Sequence, residues 1–146
     1  MSKVIITSNF EQTQMLGFEF ANKLSGGEVL ALYGDLGSGK TTFMQGLAKG
    51  LGIKRNIISP TFIIIRTYTT DLQERETSFR NLYHLDLYRL ENGSQASELG
   101  LEELFNDPQN VVAIEWPDKI EKLLPEKRIN IYFTYLTDKK RQIQIG

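Results

Sequence analysis

The chain contains no cysteine. Disulfides, iron–sulfur clusters and cysteine-bound zinc are therefore excluded. It has a single histidine, His84, which argues against a metal centre built from imidazoles. No apolar run is long enough to cross a membrane, and the N-terminus lacks the apolar stretch of a secretory signal. The expected location is the cytoplasm, with no membrane attachment. Net charge is nearly absent too, at −1, so the chain as a whole is no polyanion binder. What remains is ordinary: 146 residues, 40% hydrophobic and 24% charged, the profile of one globular domain with a real core.

The charge is unevenly placed. From Asp71 to Asp107 there are nine acids and three arginines, and from Pro117 to Gly146 seven bases and four acids. Two solvated faces explain this adequately. A sharper reading turns the basic end toward nucleotide, RNA or an acidic partner.

One stretch organises the rest. Gly34-Asp35-Leu36-Gly37-Ser38-Gly39-Lys40-Thr41, followed by Thr42, fits the phosphate-loop pattern G-x-x-x-x-G-K-[ST] at every fixed position. Glu28 to Tyr33 before it is an apolar run of strand length. Thr41 to Leu51 after it carries Phe43, Leu47 and Leu51 at helical spacing. Glycines let successive backbone N–H groups turn inward onto an anion. The following helix adds the positive end of its dipole. Lys40 can bridge β- and γ-phosphates, and the Thr41 hydroxyl can ligate Mg²⁺. A chance glycine turn would have to match four fixed residues and both flanking elements.

The chain around the loop reads as alternating strands and helices. Lys3 to Thr7 is strand-like. Ser8 with Glu11 fits a capping box, so a helix is expected from Asn9, with Leu16, Phe20 and Leu24 inward and Ser25-Gly26-Gly27 as its stop. Leu24 to Glu28 superficially matches the signature of transporter ATPases, but it precedes the phosphate loop instead of following it far downstream. Ile57-Ile58-Ser59-Pro60-Thr61-Phe62 is either a switch-like loop whose threonine reaches back to the γ-phosphate or an ordinary entry into the next strand. Phe62 to Thr69 and Phe79 to Arg89 are strand-like, with Thr70 to Ser78 an exposed hairpin loop between them.

On the second of these strands His84, Asp86 and Tyr88 fall on one face. They form either a structural hydrogen-bonding cluster, with His84 holding the aspartate, or a magnesium- or water-positioning group. Ser94 caps an expected helix to Phe105, with Leu101 and Leu104 inward and Asp107-Pro108 as its stop. Val111-Val112-Ala113-Ile114-Glu115 has the form of a buried parallel strand delivering a carboxylate at its C-terminal end. Trp116, the only tryptophan, either covers the nucleotide or a partner or belongs to the core. Pro117 opens a short helix to Leu124. Arg128 to Tyr135 and Arg141 to Ile145 pair as a C-terminal hairpin around Thr137 to Lys140. The expected fold is α/β: a single-domain P-loop NTPase-like sandwich over residues 1–146, with a mixed β-sheet and a C-terminal antiparallel hairpin.

Taken together, the phosphate loop, Ser59-Pro60-Thr61-Phe62, His84-Leu85-Asp86-Leu87-Tyr88-Arg89 and Glu115-Trp116 resemble the ordered motifs of the bacterial TsaE (YjeE) ATPases. Glu98-Leu99-Gly100-Leu101 resembles that family's linking helix. Ile63-Ile64 departs from the more polar residues many members carry there. The resemblance implies an ATP- and Mg²⁺-dependent ATPase needed for threonylcarbamoyladenosine in tRNA. It would act on the TsaB–TsaD pair, with tRNA an indirect partner, and would be a monomer by itself. By the same likeness Gly37, Ser38, Gly39, Lys40, Thr41 and Thr42 hold phosphates, and Thr41 and Glu115 hold Mg²⁺. Asp86 assists hydrolysis, Thr61 acts as a switch, Trp116 lies near the site and Thr13 lies near the adenine.

Two other readings compete. A small-molecule kinase also starts from a phosphate loop, but it needs an arginine-bearing lid, and Thr70 to Ser78 holds only Arg75. A nucleotide-bound scaffold would need no turnover. A GTPase lacks support, since no N-K-x-D motif occurs.

Overall fold

A computed structural model describes residues 2–57, 65–70, 79–90 and 98–146. In chain order these form β1 (Lys3–Thr7), α1 (Phe10–Ala21), β2 (Val29–Tyr33), α2 (Lys40–Gly50), β3 (Ile65–Thr69) and β4 (Asn81–Asp86). After them come α3 (Leu101–Asn106), β5 (Asn110–Glu115), a 3-10 helix (Pro117–Leu123), β6 (Ile129–Tyr135) and β7 (Arg141–Ile145). Ser59-Pro60-Thr61-Phe62, the loop centred on Arg75, and Ser94 lie outside the described residues.

The strands make one seven-stranded sheet in the order β1-β7-β6-β2-β5-β4-β3. Its middle is parallel: β2 pairs with β6 on one side and β5 on the other, and β5 pairs with β4. The two ends are antiparallel, β3 against β4 and β1-β7-β6 as a meander. Sequence explains the division. All six residues of β5 are buried, as a parallel strand covered on both faces requires. In β6 apolar Ile131 and Phe133 alternate with exposed Tyr132 and Thr134, the pattern of a half-covered strand. The mixed sheet and C-terminal hairpin are as the sequence predicts.

Alternation along the strands feeds two cores. Leu30, Leu32, Val111, Ala113 and Leu82 point to α1 and α2. Val29, Val112, Ile114 and Leu85 point to α3 and the 3-10 helix. Helices α1 and α2 cross closely: a Cβ at Gly46 would stand 1.8 Å from the Gln14 carbonyl oxygen, and one at Gly17 would stand 2.1 Å from that of Phe43. Glycine at both positions lets backbone touch backbone, and this seats the phosphate-loop helix on the sheet.

Three boundaries differ from expectation. The cap of α1 is Asn9, whose Oδ1 accepts from the Gln12 amide at 2.8 Å, while Gln12 Oε1 accepts from the Ser8 amide at 2.7 Å. The box therefore sits one residue later than Ser8 with Glu11, since asparagine caps as well as serine. Helix α1 stops at Ala21. Ser25 to Glu28 is a separate turn, in which the Glu28 carboxylate accepts from the Ser25 and Gly26 amides. Helix α3 begins at Leu101, entered through Gly100 at φ 69, a left-handed backbone that interrupts any helix coming from upstream. Leu101 and Phe105 face the core, whereas Leu104 is only partly covered.

Candidate functional site

At the C-terminal ends of the parallel strands lies a cleft of about 380 Å³, within the range of roughly 300–1,000 Å³ usual for small-ligand sites. Ligands of α/β sheets bind at this edge, because there the loops face a helix N-terminus. Strand β2 ends at Tyr33, the loop turns back, and α2 starts at Lys40. Gly37 and Gly39 hold φ of 78° and 107°, which glycine adopts without a steric penalty. A Cβ at Gly37 would meet nothing within 4 Å, so the backbone there is open to a ligand. The hydroxyl of Ser38 is buried and has no hydrogen-bond partner among the described residues, a polar atom left over inside the cradle.

Lys40 is buried. Its Nζ donates to the Gly34 carbonyl and lies 4.1 Å from the centroid of the Trp116 ring. Burial pushes its ammonium below the ordinary value, and the negative charges of Glu115, then Asp86, Asp118 and Asp35, oppose that shift. Trp116 is held at φ 59°, ψ 49°, the single non-glycine residue with positive φ among the described residues. That backbone costs about 1–3 kcal/mol. It turns the chain sharply at the end of β5 and lays the indole between Lys40 and Tyr88, whose ring centroid is 5.0 Å away.

The two carboxylates come from neighbouring strands. Asp86 ends β4 and Glu115 ends β5, and the parallel register sets them opposite each other. Both are buried. Asp86 Oδ1 accepts from the Tyr88 amide at 3.0 Å. His84 does not hold the aspartate, as its sequence neighbourhood suggests. Its Nε2 lies 2.6 Å from Glu115 Oε2. Register gives the reason: His84 pairs with Ala113, and Glu115 is the next residue of β5 on that face, within a diagonal cross-strand reach. Tyr88 lies past the end of β4 and is exposed, so it shares no strand face with His84.

Thr41 and Thr42, in the first turn of α2, line the same cleft, as does Thr13. The Thr13 hydroxyl is engaged with that of Thr7 at 2.7 Å, so Thr13 presents its methyl to the loop, 3.6 Å from where a Gly39 Cβ would stand. The structure thus brings Thr13, Gly37, Gly39, Lys40, Thr41, Thr42, Asp86, Glu115 and Trp116 around one cleft, with Ser38 buried beneath. Thr61 lies outside the described residues.

Arg141 is the residue that sequence reasoning missed. The sequence places it at the start of the last strand, where it indeed opens β7, but gives it no part in the site. Its Nε donates to the Gly37 carbonyl at 3.1 Å, and its Nη1 donates to the carbonyls of Thr137 and Lys140. The guanidinium also stacks over Tyr135 at 4.5 Å. The C-terminal hairpin is therefore one wall of the cleft. The only hint in the sequence is the basic excess of that end.

The donor set suits Mg²⁺. A hydroxyl and paired carboxylates are hard oxygen ligands. No cluster of three or more His, Cys, Asp or Glu able to hold a metal occurs among the described residues. No helix among the described residues is long and apolar enough to cross a membrane.

Comparison with known proteins agrees with this geometry. Residues 7–143 match the family model described as threonylcarbamoyl adenosine biosynthesis protein TsaE. A tRNA threonylcarbamoyladenosine biosynthesis protein TsaE from Bacillus subtilis is 42% identical over 94% of this chain and 80% of its own length. One from Nostoc is 40% identical over 99% of the chain and 85% of its own. The crystal structure of Bacillus subtilis YdiB superposes with a TM-score of 0.80 at 36% identity, covering 99% of this chain and 84% of that one.

Proposed function

The chain belongs to the TsaE family of tRNA threonylcarbamoyladenosine biosynthesis proteins, and on that premise we propose that it binds ATP with Mg²⁺ in this cleft and hydrolyses it to drive that modification. One observation carries the proposal: a complete phosphate loop opens onto two buried carboxylates set side by side by strand register.

Each residue has a task that follows from its position. The amides of the loop and the first turn of α2 receive the β- and γ-phosphates, aided by the helix dipole. Lys40 leaves the Gly34 carbonyl for the phosphates, because a charge-assisted bond to phosphate is stronger than one to a neutral carbonyl. Thr41 and Glu115 would hold Mg²⁺, which on binding neutralises charge on the phosphates. Asp86 accepts a proton or hydrogen bond from the attacking water and so aligns it. Trp116 and Tyr88 wall off the Lys40 side of the cleft. TsaB and TsaD are the proposed partners, and the cytoplasm is the proposed compartment.

The two carboxylates separate by experiment. Glu115→Ala is expected to remove most of the Mg²⁺ dependence of nucleotide binding. Asp86→Asn should leave binding nearly intact and slow turnover on the order of 10²-fold, the usual worth of a positioned base. Titrating Mg²⁺ against each variant checks this, and identical profiles would refute the division of labour.

The arginine brace gives a further expectation. Arg141→Ala should raise the KM for ATP about five- to tenfold, the worth of one partly exposed charged hydrogen bond, with a smaller change in kcat. An unaltered KM would mean that the hairpin does not shape the loop.

A further inference from the structure

The chain's only histidine, His84, is fully buried, and its Nε2 lies 2.6 Å from Glu115 Oε2, a side chain only 4% exposed. Its other nitrogen, Nδ1, is buried with no hydrogen-bond partner among the described residues. A carboxylate accepts, so Nε2 carries the proton that joins them. A second proton on Nδ1 would be a buried donor without an acceptor, which proteins tolerate less readily than a bare acceptor.

We propose that His84 is the positioning residue of Glu115. Its Nε2–H ties down Oε2, fixes the rotation of the carboxylate and leaves Oε1 as the oxygen presented to the cleft. The carboxylate needs such a guide. Glutamate has three rotatable side-chain torsions, and Lys40, whose charge interacts with that of Glu115, would otherwise draw both oxygens toward itself. An imidazole clamped between strands has no comparable freedom: β4 fixes its backbone through pairing with β5 on one side and β3 on the other. An outer partner of this kind orients a ligand and tunes its basicity. The inference rests on Glu115 being a magnesium ligand, as proposed above.

With one histidine in the chain, the test has a single unambiguous reporter. In the ¹⁵N-histidine spectrum of the empty protein, the Nε2–H tautomer is expected, with its N–H proton shifted far downfield and returning upfield in Glu115→Ala. In parallel, Mg²⁺ is titrated in the presence of a non-hydrolysable ATP analogue. His84→Leu is expected to weaken metal affinity roughly 10- to 100-fold. His84→Gln, whose amide can still donate from about the same place, should stay within about threefold of wild type. Nucleotide affinity without metal should be unchanged in both.

An Nδ1–H tautomer in the wild type overturns the proposal. So does His84→Leu with wild-type metal affinity while Glu115→Ala loses it, a result that leaves the reading of Glu115 standing. Unchanged metal affinity in Glu115→Ala removes that reading and the proposal together. If His84→Leu does not fold, His84→Asn replaces it: the shorter amide falls short of Glu115, so equal metal affinity in His84→Asn and His84→Gln would contradict the positioning role.

Discussion

Lys40→Ala loses ATP hydrolysis, by on the order of 10³-fold or more, and keeps its fold. The loss follows from what Lys40 offers. It is a buried cation beside the loop proposed to receive the phosphates. Charge developing on the γ-phosphoryl group in the transition state would meet this buried ammonium, and such a contact is worth several kcal/mol. The survival of the fold follows from what Lys40 costs. Burial holds its ammonium below the ordinary value. Between the lowered and the ordinary value the unfolded chain binds more protons than the folded one, so stability rises with pH across that window. Below the window the penalty of burying the charge is fully present. Alanine removes both the penalty and the contacts to Gly34 and Trp116 that offset it. The melting temperature is expected to stay within about 3 °C, or about 1 kcal/mol. Phosphate release and a thermal melt on the same preparation check both halves. Wild-type-like turnover in Lys40→Ala would contradict the site.

The second large effect is stimulation by partners. The isolated chain should turn over slowly, and the TsaB–TsaD pair should accelerate it. An arginine finger is worth roughly 10³–10⁵ in phosphoryl transfer, about 4–7 kcal/mol of barrier. Among the described residues Arg141 donates to the phosphate loop, and its Nε and Nη1 are engaged with three carbonyls. It braces the loop and is not aimed at a leaving phosphate. On the proposed function, the charge or the closure that completes the site is expected to come with assembly, and hydrolysis to change the partner complex instead of phosphorylating an acceptor. Steady-state phosphate release with and without the pair measures the effect. Fast turnover that partners leave unchanged would reject the coupling, and transfer of phosphate to a small acceptor would favour a kinase.

How much of this was legible in the sequence depends on distance along the chain. The phosphate loop is contiguous, so residues 34 to 41 announce both its backbone and its chemistry. Glu115 is legible for a related reason: four apolar residues before an acid describe a buried strand and its end, and β5 is fully buried. What joins distant segments was hidden. Arg141 reaches Gly37 across 104 positions, and no local pattern encodes that contact. The partner of His84 was misassigned because sequence shows Asp86 two residues away, whereas register shows Glu115 across the strand gap. The cap of α1 slipped by one residue because Ser8 and Asn9 are both good caps, and the local code does not choose between them.

The claim at the centre of this account is that turnover in this cleft, and not occupancy alone, supports tRNA modification. Threonylcarbamoyladenosine formation and phosphate release are therefore measured in one reaction containing the chain, TsaB, TsaD, tRNA, ATP and the threonylcarbamoyl donor. Wild type is expected to give both products, and Lys40→Ala and Asp86→Asn to lose both together, Asp86→Asn while still binding ATP. Undiminished modification by Asp86→Asn with its hydrolysis abolished would contradict the account and make the chain a nucleotide-bound scaffold.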